Sequence, residues 1–241
     1  MNVPDVLDVL YVSDKNYLIM VSVVFLSLLA PLSIYVGLIV LNNIPLTLIL
    51  FHGLICLGIP LMDFTFVQKQ TLGHYFYALG FRNVKKVFLP AIMLGVLFGT
   101  TIYLFISRLQ EYLIDIEKTH FLLKMWNIMD LHPVFFLFIM IFANSVLEEI
   151  YWRGYIFLKL EGKLLPKQQI LFTAFFYASY HFITTSNLFS VFCGLLFTIL
   201  IFGIGCFWGV VRQKYDSIYL PIISHLLADL GIMMVYIRFF V

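Results

Sequence analysis

Seven stretches of the chain stay apolar for about the length of a bilayer crossing, at roughly 18–41, 44–66, 87–106, 134–158, 167–185, 188–211 and 218–240. A hydrocarbon core calls for roughly 20 apolar residues per helix, so each stretch predicts one spanning helix. Polar breaks separate them, beginning with Asn42-Asn43-Ile44-Pro45, which predicts the first hairpin. Between the second and third stretches, Val67 to Lys86 is polar and aromatic and carries Lys69, Arg82, Lys85 and Lys86. It is a juxtamembrane basic loop, read first as an orientation signal and second as a segment drawn to an anionic leaflet. Between the third and fourth, Leu109, Tyr112, Leu113 and Ile116 fall at helical spacing opposite Glu111, Asp115 and Glu117. That spacing predicts an amphipathic helix at the interface, read as a surface helix ahead of a shield over a lateral opening. The fold class is therefore all-α: a polytopic membrane helical bundle of about seven transmembrane helices plus an interfacial helix. No internal repeat, low-complexity tract or soluble-domain linker interrupts it, which predicts one integrated membrane domain.

Composition removes the alternatives. Hydrophobic residues make up 62% and charged residues 12% of the chain, and mean hydropathy is +1.00. A soluble domain carries about a quarter charged residues. Net charge is +2 with the lysines dispersed through loops, a distribution that gives nucleic acid no stripe to bind. Cys56, Cys193 and Cys206 lie in apolar runs without CxxC spacing and read as small core residues. Met1 to Lys15 holds Asp5, Asp8 and Asp14 and no basic n-region, so it reads as a retained segment and not a cleaved signal. Lys15, Lys69, Arg82, Lys85, Lys86, Lys159, Lys163, Lys167, Arg212 and Lys214 fall on one side of the bundle, against Arg108, Lys118, Lys124 and Arg238 on the other. That asymmetry predicts a cytoplasmic N-terminus and an exterior C-terminus.

Against this background the stretch from Asn144 to Gly154 stands out, because Glu148, Glu149 and Arg153 sit inside an apolar run. Ionisable groups at membrane depth are expensive and mark function by default. Glu149 and Arg153 are four apart and share a helix face, while Glu148 projects about 100° away. The fifth stretch adds His181, and the seventh adds His225 and Asp229, again four apart. Counted from the cytoplasmic ends at about 1.5 Å per residue, Glu148, His181, His225 and Asp229 all fall roughly 15–20 Å deep. One such histidine would be read as helix glue; four groups from three spans at one depth predict a site. His74, His120 and His132 sit in loops or at a span end, and His52 has no carboxylate at helical spacing. These four are read as structural. The 26 Phe and 14 Tyr read as lipid-facing and packing residues with an interfacial belt.

Two carboxylates and two imidazoles around a wet cavity suit water activation, with a glutamate as general base and an imidazole opposite to share a proton or meet an oxyanion. Ser179 and Ser224 each adjoin a histidine in sequence, but neighbours on a helix diverge by about 100°, so a Ser/His dyad is disfavoured. Glu and His would also suit zinc, though no HExxH helix is present.

The motifs resemble those of the CAAX-protease and bacteriocin-processing (CPBP, or Abi) intramembrane endopeptidases. The family's EExxxR is similar to Glu148-Glu149-Ile150-Tyr151-Trp152-Arg153, its FxxxH to Tyr177 through His181 with Tyr for Phe, and its Hxxx(N/D) to His225 through Asp229 with Asp for the Asn of the eukaryotic branch. The resemblance implies a glutamic-type peptidase with no cofactor and no metal, whose core spans 134–235 behind N-terminal helices and loops over 1–133. It implies that Glu148 and His181 activate water, that His225 and Asp229 line the oxyanion side, and that Glu149, Arg153 and Tyr177 support them. Asp229 cannot donate to an oxyanion unless protonated, so it is expected to orient His225. Implied partners are a peptide or lipid-anchored protein substrate cut near its C-terminus, and membrane lipids. The compact chain fits the bacterial branch linked to peptide pheromones and bacteriocins. Two further readings stand beside it: a non-proteolytic partner giving bacteriocin immunity or modulating a sensor or transporter, and, with less support for want of an inverted repeat, a proton-coupled transporter.

Overall fold

A computed structural model describes the backbone of residues 3–241 and the side chains of residues 17–241. The retained-segment reading of Met1 to Lys15 lies outside the described side chains. Among the described residues, nine helices organise the fold: α1 (Val3–Ile34, continued by a wide turn over Tyr35–Val40), α2 (Ile44–Gln68), α3 (Leu72–Leu79), α4 (Val84–Arg108), α5 (Ile116–Met125), α6 (Pro133–Leu160), α7 (Pro166–Leu188), α8 (Val191–Tyr215) and α9 (Tyr219–Phe240). Six are long and apolar enough to cross a membrane: Tyr17–Val40 of α1, and α2, α4, α6, α8 and α9. The seventh expected span corresponds to α7, whose 23 residues reach about 34 Å at 1.5 Å per residue. It is more polar than the others because Gln169, Thr173 and Asn187 turn their side chains onto main-chain carbonyls inside the bundle. Large apolar side chains exposed along α1, α4 and α8, among them Phe25, Leu89 and Phe192, form the outer face that lipid would cover.

Local chemistry sets the helix ends as the pattern predicts. Asn43 caps α2, its side chain accepting from the Leu46 amide with Pro45 just inside, as suits residues at the first turn. Thr71 caps α3 and Gly80 ends it at φ 102°, a left-handed conformation that glycine adopts without penalty.

The expected amphipathic helix takes a different form. Gln110–Leu113 makes a single turn, Ile114 is extended, and α5 begins afresh behind an Asp115 cap. Tyr112, expected on the apolar face, is among the most exposed residues of the segment, and the buried face is Ile114, Thr119, Leu123 and Trp126. The reason is tertiary: α5 packs against the end of α7, where Lys118 and Thr119 donate to the main-chain oxygens of Phe189 and Leu188.

Two close helix pairs build the core. Ala91, Gly95 and Gly99 recur at four-residue spacing along α4, Gly95 meeting Leu227 and Ser224 of α9 and Gly99 meeting Leu227 and Gly231, the small-residue packing that lets membrane helices approach. A Cβ on Gly99 would stand 2.3 Å from the Leu227 carbonyl oxygen, and one on Gly231 2.4 Å from that of Gly99. The α7–α8 hairpin closes likewise, Gly194 against Ser186 and Gly205 against Ala174. These contacts bring α9 and α7 to α6.

Candidate active site

Every residue singled out in α6 and α9 is buried: Glu149 and Arg153 at 0% exposure, Glu148 at 2%, His225 at 4% and Asp229 at 7%. Glu148, Glu149 and Arg153 lie where α6 takes wide turns, at Ile139–Ala143 and Ile150–Ile156, a local widening often found at functional sites.

Glu149 is the hub. Its Oε1 accepts from Arg153 Nη1 at 2.9 Å and from His225 Nδ1 at 3.0 Å, so one carboxylate fastens its own helix and holds the α9 imidazole. The Arg153 guanidinium lies over the Tyr177 ring at 4.2 Å and the Trp208 ring at 5.1 Å, and its Nη2 reaches the Gly205 carbonyl at 3.4 Å. Arg153 thereby joins α6, α7 and α8. The i,i+4 pairing expected of Glu149 and Arg153 is present; the bond to His225 was not legible, because it depends on how α9 is rotated.

Asp229, expected to orient His225, faces the ring's other nitrogen at ion-pair distance. Its Oδ2 stands 3.6 Å from His225 Nε2, beyond hydrogen-bond reach, while Glu149 holds the ring at its other nitrogen. Asp229 instead accepts from Asn144 Nδ2 at 2.9 Å. Asn144 Oδ1 in turn accepts from His52 Nε2 at 2.9 Å. His52, read from the sequence as structural and outside the site, therefore joins the cluster through Asn144. The only sequence signal for it was a histidine at membrane depth, and for Asn144 its position four residues before Glu148.

Glu148 stands apart from this chain of bonds. Its Oε2 is buried without a hydrogen-bond partner, an expensive state for a carboxylate unless it meets a reactant. Tyr180 presents its hydroxyl to the same carboxyl and is likewise unpaired. His181 stacks on Tyr180 at 4.4 Å between ring centres and leans on Tyr177 at 4.8 Å. His181 Nδ1 meets the Tyr177 carbonyl oxygen at 2.8 Å; because a carbonyl only accepts, that nitrogen carries the proton and Nε2 keeps a free lone pair. His181 makes no direct bond to Glu148, Glu149, His225 or Asp229 among the described residues. Ser224, the sequence neighbour of His225, accepts from Trp208 Nε1 and donates to the Leu220 carbonyl, so it is spent on helix packing. Among the described residues, no three His, Cys, Asp or Glu side chains converge as a metal site.

Below the cluster, at the end of α6 where the lysines gather, a cavity of about 560 Å³ is lined by Asp63, Gln68, Tyr155, Lys159 and Lys163 among others. Lys159 Nζ donates to Asp63 Oδ1 at 2.6 Å across it.

No curated protein and no solved structure matches the chain. Residues 130–231 match the family model described as type II CAAX prenyl endopeptidase Rce1-like, and this matched segment carries every member of the cluster except His52.

Proposed function

We propose that the chain is a glutamic-type endopeptidase that hydrolyses a peptide bond within the membrane, with Glu148, His181, His225 and Asp229 at the reacting centre. One observation carries the reading: Glu148 keeps a buried, unpartnered carboxylate oxygen and takes no part in the bonds by which its neighbour Glu149 holds Arg153 and His225. A water held between Glu148 and the bare Nε2 of His181 loses a proton to the carboxylate as its oxygen bonds to the scissile carbonyl carbon. The carbonyl π pair moves onto oxygen, where donors on the α9 side stabilise it. Collapse of the tetrahedral centre breaks the C–N bond, and Glu148 returns the proton to the departing amine. Glu149 positions His225, and Arg153 and Tyr177 position Glu149.

Substrates of this reading are short peptides or lipid-anchored proteins cut near the C-terminus, entering from the side bearing the 560 Å³ cavity. The ten-to-four excess of Lys and Arg supports a cytoplasmic N-terminus. His52 belongs to α2, which favours one integrated domain over a separable core at 134–235.

The test is Glu148→Gln against wild type in the native host, scored by mass spectrometry of secreted and membrane peptides, with purified protein assayed on one fluorogenic CAAX-type peptide in S-farnesylated and unmodified forms. Loss of a shortened peptide in the variant supports the reading. Full cleavage by Glu148→Gln or His181→Ala sinks it, and rescue of a deletion phenotype with an unchanged peptide pool would move the activity to binding.

A further inference from the structure

Asp229 stands on the side where the proposed reaction needs a hydrogen-bond donor, yet as a carboxylate it only accepts. The donor nearest to it belongs to another helix. Asn144 lies on α6 four residues before Glu148, hence on the same helix face, and its amide is held at both ends. Its Nδ2 donates to Asp229 Oδ2 at 2.9 Å, and its Oδ1 accepts from His52 Nε2 at 2.9 Å. The opposite amide orientation would set Oδ1 against a carboxylate oxygen, acceptor on acceptor. The orientation in turn dictates the His52 tautomer: Nε2 carries the proton and Nδ1 does not. His52 Nδ1 is buried with no partner, which suits a bare ring nitrogen far better than an orphaned N–H. His52 itself is 7% exposed and packs edge-on against Phe51 at 4.8 Å. An amide nitrogen has two hydrogens. One is spent on Asp229, and the second makes no bond to any described residue.

We infer that Asn144 supplies the amide N–H that meets the developing oxyanion, with His52 fixing which way the amide faces and Asp229 holding it in place. Asn144 is then a catalytic residue and His52 a positioning residue acting through it. The inference rests on reading the cluster as a peptidase centre, and it accounts for a carboxylate at 229 without leaving the reaction short of a donor.

The experiment uses the full chain in detergent micelles with the same pair of CAAX-type peptides, farnesylated and unmodified. Asn144→Ala should lower kcat by roughly 10²–10³, the usual loss on removing one oxyanion donor, with KM within about threefold. Asn144→Asp sets carboxylate against carboxylate and should fail; the reciprocal Asn144→Asp/Asp229→Asn exchange restores the bond with the amide relocated and should regain at least about tenfold over Asn144→Asp. His52→Leu should lower kcat, and His52→Gln, whose amide nitrogen can replace Nε2, should recover it. Independently of any cleavage, ¹⁵N-histidine NMR, with the His52 signals assigned through His52→Gln, should report the proton on Nε2 and a shifted tautomer balance in Asn144→Ala. If Asn144→Ala keeps full kcat while Glu148→Gln is dead, the peptidase reading survives and this inference is overturned. If wild type cuts neither peptide, the substrate reading fails and NMR decides: a His52 proton on Nδ1, or a tautomer indifferent to Asn144→Ala, overturns the amide clamp.

Discussion

Glu149 is a single residue that accepts from donors on two helices, Arg153 and His225. Its removal leaves Arg153 buried without its carboxylate, and breaking a buried pair in this way costs about 3–5 kcal/mol. Glu149→Gln should therefore lower the thermal unfolding midpoint in micelles markedly, whereas Glu148→Gln, which neutralises a carboxylate with no ion pair to Arg153, should leave it unchanged or raise it while abolishing cleavage. Thermal denaturation followed by tryptophan fluorescence separates the two. Adjacent glutamates thus have distinct duties, one fastening the fold and one kept for the reaction. The sequence made that division legible through helical spacing alone. The Asn144 and His52 contacts were not legible, since each is made to a residue of another helix.

Between elements, the depth of close approach is set by glycine. Gly99→Ala would drive a methyl to 2.3 Å from the Leu227 carbonyl oxygen, so α4 and α9 must separate, and with them His225 and Asp229 move from Glu149 and Asn144. The expected outcome is lower thermal stability together with lost cleavage. Gly53→Ala on α2 has open space around the new methyl and should be neutral or stabilising by about 0.5–1 kcal/mol, the helix-propensity difference. Parallel melts of the two variants test whether the interhelical fit, not glycine content as such, carries the effect. The segment after α4 shows the limit of pattern reading. Its charges and apolar residues fit one helix by spacing, but packing against α7 chose a break at Ile114 and a different buried face.

For the whole molecule, a polar clasp outside the spans joins the loop after α3 to the α8–α9 corner. Asp216 pairs with both Arg82 and Arg212, and Arg212 also donates to the main-chain oxygens of Arg153 and Ala78. Partial burial alone would raise the Asp216 pKa, but the hydrogen bonds and charges of the two arginines prevail and hold it below the ordinary carboxylate value. A carboxyl depressed on folding contributes stability that is complete above its unfolded pKa and is lost as pH falls through the folded one. Asp216→Asn should therefore be less stable than wild type at neutral pH, with the gap closing below about pH 4; melts across that range check the sign. Orientation belongs to the same scale. A C-terminal alkaline phosphatase fusion should be active and a C-terminal green fluorescent protein fusion dark, and the reverse would invert the proposed topology.

The all-helical membrane class and the approximate positions of the spans were determined by the sequence, because hydrophobic length is a property of a chain read one residue at a time; the helix Leu72–Leu79 inside the expected basic loop was not legible that way. Helical spacing put Glu149 with Arg153 and set Glu148 aside. Tertiary structure alone decided which side chains touch across helices: His225 bonding Glu149 through Nδ1, Asn144 bridging α6 to α9, and His52 entering from α2. Those contacts depend on helix rotation and on glycine-limited approach. Rotation is settled by the packing of several helices at once, and no periodicity along a single helix carries that information.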